Sequence, residues 1–232
     1  MLDGNMPKHL TKLQTVLNWL ESAYGQPTSP DLTDPLEMIL FENVTYLVND
    51  ATRERAFAAL REEIGTSPTC ILAASFDELA KVVRPAALTS KLVARLQEIA
   101  LIALQECGGN LREVVSRPSA EAKKALMKFP AIGEPGAEKI LLFSNAYPIL
   151  ALDSNGLRVL VRLGFGSEHK SYLATYRSAQ REAQTELEDD CPSNKRAHLL
   201  LRLHGKSICK RTQPKCESCS LTSLCQFYSG RM

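Results

Sequence analysis

Four cysteines crowd into seventeen residues near the end of the chain, Cys209, Cys216, Cys219 and Cys225, in the stretch CKRTQPKCESCSLTSLC. Their spacing is C-x6-C-x2-C-x5-C. Thiolates are soft donors, and four of them held this closely suit zinc or an iron–sulfur cluster. Seven cysteines in all do not pair evenly, so a metal site is expected here rather than a set of disulfides. Zinc knuckles commonly use two C-x2-C pairs, whereas this stretch has one. Lys210, Arg211 and Lys215 lie in the first loop of the cluster and Lys206 just before it. Cations so placed are either a solvated surface or contacts to phosphate. The scattered Cys70, Cys107 and Cys191 read as buried small hydrophobes.

Two carboxylates stand out. Asp153, in LDSNG, sits where a loop enters a helix, and its side chain can cap that helix. Glu42 lies within the apolar stretch EMILFENVTYL. If buried there, its proton affinity would rise, which suits a general acid. Between them, FPAIGEPGA at 129–137 joins two helical segments through a glycine-containing turn, with Pro135 in a first-turn position. Amides at the start of the second helix lack intrahelical partners and carry the positive end of the dipole, so they can bind a phosphate oxygen. A plain helix–turn–helix corner is the alternative.

The elements that must position these groups are helices. Leu10, Leu13, Val16, Leu17 and Leu20 recur at helical spacing within 7–25, and Gly25 stops that run. QPTSPDLTDP reads as a linker. Further helices are expected over 35–49, 51–64, 76–83, 89–106, 118–128, 171–188 and 194–204, with Gly108-Gly109 ending the fourth of these and Ser119 capping the fifth. No strand alternation and no internal repeat is found. The expected class is all-α, built of many short helices.

The chain of 232 residues is long enough for a sizeable core, at 44% hydrophobic and 23% charged. No apolar run is long enough to span a bilayer, and MLDGNMPKHLTKLQ lacks the apolar block of a signal peptide. The expected home is the cytoplasm, associated with the nucleoid. Net charge is only +2, so nucleic-acid binding would rest on local patches.

Hairpin, then an aspartate 18 residues after Pro135, then C-x6-C-x2-C-x5-C: this order resembles the helix-hairpin-helix DNA glycosylases of the endonuclease III superfamily, over about residues 35 to 227. The resemblance implies a two-lobed all-α fold with a C-terminal [4Fe–4S] loop. One lobe would be 1–33 with 151–232, and the other 34–150, a helical barrel ending in the hairpin. DNA would lie across the cleft between them. Cys209, Cys216, Cys219 and Cys225 fall on the cluster ligands, and Asp153 on the catalytic aspartate that stabilises an oxocarbenium-like state or guides a nucleophile. Glu42 falls on a glutamate that looks like the general acid or base of adenine-excising and mismatch-thymine-excising relatives. Tyr46-Leu47 replaces a polar pair that wedges into the duplex; core packing is the alternative there. Ile132, Gly133, Pro135 and Gly136 of the hairpin, with Tyr46, Leu47, Lys206, Lys210, Arg211 and Lys215, are the implied DNA contacts.

Two departures matter. Ala131 stands where the family often has glycine. Pro135 stands where bifunctional members carry the lysine that forms a Schiff base and cleaves the strand, and Lys139 lies one helical turn further on. The implied activity is therefore a monofunctional DNA glycosylase of base-excision repair acting as a monomer on double-stranded DNA with a damaged or mispaired base. A lyase using another lysine, and a damage-binding protein without catalysis, remain the alternatives.

Overall fold

The computed structural model describes residues 10–83 and 88–230. Among them there is no strand, and the all-α expectation holds. The chain divides into two compact units, Met1–Ser29 with Pro148–Met232, and Pro30–Tyr147.

Helix α1 (Lys12–Tyr24) opens on a capping box: Thr11 Oγ1 accepts from the Gln14 amide, and Gln14 Oε1 accepts from the Thr11 amide. Leu13, Val16, Leu17 and Leu20 form its buried stripe, and Gly25 ends it. Residues 7–9 of the expected helix lie outside the described residues.

The second unit holds α2 (Pro35–Asn43), α3 (Asp50–Ala59), α4 (Pro68–Ala73), α5 (Phe76–Val82), α6 (Thr89–Cys107), α7 (Leu111–Val115), α8 (Ser119–Leu126) and α9 (Glu134–Phe143). Helix α6 is its axis, packing against α2, α4, α5 and α7. It buries Leu92, Val93, Leu96, Ile99, Ala100 and Ala103, the stripe its periodicity predicts.

Several boundaries differ from the sequence reading. Helix α2 stops at Asn43 rather than 49, and the chain then turns through Leu47 at φ 52. Asn49 instead caps α3, accepting from the Thr52 amide. The last turn of the 51–64 segment, Leu60–Ile64, is π-helical. Ser119 is the first residue of α8 and not its cap; Pro118 precedes it and offers no side-chain bond. Helices α4 and α7 are too short to give a periodic signal. Cys70 is exposed, and Cys107 and Cys191 are only partly buried, so these three thiols are not core residues.

The other unit adds α10 (Ser154–Leu163), α11 (Tyr172–Gln184), α12 (Cys191–Ser207), two short 3₁₀ turns and α13 (Gln226–Ser229). Its core joins the stripe of α1 to Leu157, Leu160, Leu163, Tyr176, Leu200 and Leu201, so the first helix completes the C-terminal half. Helices α10 and α12 cross at close range. A Cβ on Gly205 would stand 2.5 Å from the Asn155 carbonyl oxygen, so only glycine permits this approach.

Candidate functional site

Within the Pro30–Tyr147 unit, the end of α2 docks on the hairpin. Asn43, fully buried, donates through Nδ2 to the carbonyls of Ile39 at 2.9 Å and Pro130 at 3.0 Å. Glu42 meets Lys139 Nζ on α9 at 2.7 Å and Arg53 Nη1 on α3 at 3.3 Å. The Glu42 side chain keeps 30% of its exposure. Burial does not isolate this carboxyl; two cations face it.

The hairpin itself runs from α8 through 127–133 into α9. Gly133 precedes α9 and has no side chain to cap it. Pro135 contributes no amide. Lys123 on α8 closes the base of the hairpin, with Nζ 2.8 Å from Glu138 and 3.6 Å from Glu134. Ile132 is buried, so any DNA contact there belongs to backbone, while Gly133 is exposed and Gly136 partly so. Ala131 holds φ 58, the left-handed region. That is the conformation a glycine adopts without cost, and it explains why glycine suits this position in the pattern the hairpin resembles.

Tyr46 and Leu47 are 47% and 85% exposed, which removes the core-packing reading of this pair. Leu47 also stands at positive φ, an uncommon state for a bulky residue. In the stretch just before it and on α3, Asn43 Oδ1, Thr45 Oγ1 and Arg53 Nε are buried without hydrogen-bond partners.

In the other unit, Asp153 is the N-cap of α10. Its Oδ1 accepts from the amides of Asn155 at 2.9 Å and Gly156 at 2.7 Å. Its Oδ2 accepts from Asn155 Nδ2 at 3.0 Å and faces Arg202 Nε at 3.3 Å. The lead-in, Leu150–Leu152, is buried. Gln180 and Gln184 of α11 bond the Leu150 carbonyl and amide, and His198 of α12 bonds the Ala151 carbonyl. The carboxylate is thus fixed by backbone before any ligand arrives, and stays 28% exposed. Partial burial and then the charge of Asp153 hold the Tyr172 phenol above its ordinary range.

The same helix carries the cysteine loop. Arg158 bonds the carbonyls of Cys209 at 2.8 Å and Gly205 at 2.7 Å. Arg162 bonds those of Lys210 at 2.8 Å and Arg211 at 3.1 Å, places Nη1 3.2 Å from Cys209 Sγ, and stacks 4.4 Å from the Phe227 ring centre. Lys206, Lys210, Arg211 and Lys215 are all exposed. Beside them an open groove of about 880 Å³ is lined by Ser154, Arg158, Arg162, Lys170, Tyr172 and Arg211, with Glu168 among its walls.

Cys209, Cys216, Cys219 and Cys225 line one pocket with His204, Arg162 and Leu221. Among the described residues no group of three or more His, Cys, Asp or Glu is gathered as a single metal ion requires. As a donor set, four thiols lining one pocket suit an iron–sulfur cluster. Burial pushes the His204 imidazole down to about 4, so it is neutral.

No protein-family model matches the chain. Endonuclease III of Thermotoga maritima is 24% identical over 205 residues, covering 88% of this chain and 89% of that protein. Thymine/uracil-DNA glycosylase of Methanothermobacter thermautotrophicus is 24% identical over 160 residues, 68% of this chain and 66% of that one. Among solved structures, a non-covalent endonuclease III–DNA complex superposes with a TM-score of 0.75 at 22% identity, covering 97% of this chain and 99% of that one. The chain is similar in sequence and in fold to endonuclease III-like proteins. A thermostable thymine-DNA glycosylase shares this fold with a TM-score of 0.75 at 20% identity, over 94% of this chain and 95% of that one. Among the described residues no helix is long and apolar enough to cross a membrane.

The sequence reading missed Arg158, Arg162, Arg202, His204 and Tyr24. The arginine pair at i and i+4 just after Asp153 was a usable signal. The others depend on tertiary contacts and left none.

Proposed function

We propose that this chain is a DNA glycosylase of base-excision repair that hydrolyses the N-glycosidic bond of one flipped base and stops there. The observation that carries the reading is Asp153, a carboxylate locked at the start of α10 by two amides yet still partly open to solvent. As the bond between C1′ and the base nitrogen breaks, positive charge grows on the sugar, and a fixed carboxylate stabilises it without reorganising. Water then adds at C1′, losing a proton as the departing base gains one.

Glu42, ion-paired with Lys139 and Arg53, suits orienting that water or accepting its proton. The three partnerless polar atoms near it offer hydrogen bonds to an incoming group. Tyr46 and Leu47, exposed on a turn, suit the gap left by an extruded base. The exposed cations of the cysteine loop and the backbone of Gly133 and Gly136 suit phosphate. The likeness to endonuclease III and to thymine/uracil-DNA glycosylase supports the reaction class.

Absence of strand cleavage rests on Pro135, which has no nucleophile, and on Lys139. An amine engaged with a carboxylate at 2.7 Å must leave that ion pair before it can attack a sugar carbon. Cys209, Cys216, Cys219 and Cys225 fit a [4Fe–4S] cluster, which when bound supplies a rigid anchor for the loop. Arg158 and Arg162 tie that loop to the helix Asp153 begins.

The test is a panel of duplexes bearing oxidised pyrimidine, mismatched thymine or uracil, mispaired adenine or alkylated purine, each with and without borohydride. Excision of at least one base, lost in Asp153→Asn, with no trapped adduct, is the expected result. A trapped adduct lost in Lys139→Ala would establish a lyase instead. Binding without excision on every duplex, unaltered by Asp153→Asn, would make the protein a damage binder.

A further inference from the structure

We infer that His204 donates a hydrogen bond to Cys219 Sγ, is held in that tautomer by Tyr24, and so sets the reduction potential of the cluster. The inference rests on the cluster assignment made above. His204 lies on α12 and is 2% exposed. Its Nε2 stands 3.5 Å from Cys219 Sγ, and its Nδ1 stands 2.8 Å from the Tyr24 hydroxyl at the end of α1. An imidazole with a single N–H donates from only one of its two nitrogens, and here each nitrogen has its own partner.

The neighbouring groups decide which. A metal-bound thiolate has no proton, so the contact to Cys219 is a hydrogen bond only if Nε2 carries one. Nδ1 is then the acceptor, and the Tyr24 hydroxyl donates to it. Ser207 Oγ, 3.3 Å from the same hydroxyl, spends its own proton on the Leu203 carbonyl at 2.8 Å. That leaves Ser207 Oγ as a second acceptor for the Tyr24 proton, but His204 Nδ1 is the nearer one, at 2.8 Å against 3.3 Å. The short contacts of Tyr24–His204–Cys219 then run donor to acceptor along the whole chain.

Two further donors reach the sulfurs: Arg162 Nη1 to Cys209 Sγ at 3.2 Å, and the Leu221 amide to Cys219 Sγ at 3.4 Å. An N–H aimed at a ligating sulfur draws off electron density and favours the more reduced cluster. His204 differs from the other two in that its donor is set by a residue of α1, far away in sequence. It is a positioning residue for the cofactor, not a catalytic one.

The experiment uses the full chain purified without oxygen, with iron and zinc content measured first and midpoint potential read by protein-film voltammetry. His204→Leu is expected to move the potential to a more negative value, and His204→Gln, which keeps an N–H, to recover part of the shift. Tyr24→Phe keeps the ring but frees the imidazole to adopt the other tautomer. It is expected to shift the potential in the same direction by less, and it serves if His204→Leu does not fold. Iron retained with the Tyr24→Phe potential, and that of His204→Leu where it folds, at the wild-type value would overturn the inference alone. Zinc in place of iron in the wild type would overturn it together with the cluster assignment.

Discussion

Lys139 Nζ lies 2.7 Å from Glu42 Oε1, joining the second helix of the hairpin to the end of α2. The lysine nearest in sequence to Pro135 is thereby committed to an ion pair. The carboxylate gains a cation, and its side chain remains 30% exposed. In the proposed reaction Glu42 works as acid or base and Lys139 as its ion-pair partner.

Glu42→Gln removes the base and keeps the shape of the side chain. The excision rate under single-turnover conditions is expected to fall by roughly 10²- to 10⁴-fold, the range of a positioned general base. Duplex binding measured by anisotropy is expected to change little. Lys139→Gln leaves Arg53 at 3.3 Å from Glu42, so its rate is expected to fall by less than that of Glu42→Gln.

One substitution separates the capping role of Asp153 from the catalytic role proposed for it. Asparagine caps a helix about as well as aspartate, so Asp153→Asn is expected to keep the fold, with stability within about 1 kcal/mol of wild type by chemical denaturation. Excision is expected to fall by about 10²-fold or more, since the charge facing the sugar is gone. A stability loss that accounts for the whole rate loss would contradict this.

Leu47 is 85% exposed at φ 52. A left-handed leucine costs about 1–2 kcal/mol, and glycine returns roughly 0.5–1 of that through its freer unfolded chain. Leu47→Gly is thus expected to stabilise the protein by up to about 1 kcal/mol. The same change is expected to weaken binding to a mismatched duplex, because the side chain proposed as a wedge is gone. Higher stability with lower lesion affinity is the signature of strain kept for function. Loss of both would place Leu47 in the packing instead.

Gly205 gives the opposite case. A methyl group there meets the Asn155 carbonyl oxygen at 2.5 Å, and the backbone beneath Asp153 must shift. Gly205→Ala is expected to cost about 1–3 kcal/mol, as overpacking does. Excision is expected to drop beyond what that stability loss explains, since Asn155 is a donor to Asp153. Thermal unfolding and single-turnover rates measured together check it.

The cysteine spacing, the aspartate that caps α10, the glycine–proline hairpin and the helical stripes of α1 and α6 were legible in the amino-acid sequence. Each is a local pattern: a chelate spacing, a cap, a turn, a period of 3.6. The end of α2 was not legible. Asn43 at its end bonds the Pro130 carbonyl, 87 residues away in the chain, a contact no local pattern announces. Nor could the sequence give the setting of Glu42. Its cations, Lys139 and Arg53, lie 97 and 11 residues away in the chain, and an apolar neighbourhood in sequence suggested burial that the fold does not supply. The same holds for Arg158 and Arg162, which reach the cysteine loop across 47 to 51 residues. Composition and spacing determined which groups the protein has. Only the tertiary structure decided which charge faces which, because electrostatic pairing depends on distance in space, and a helical chain brings together residues that no local pattern relates.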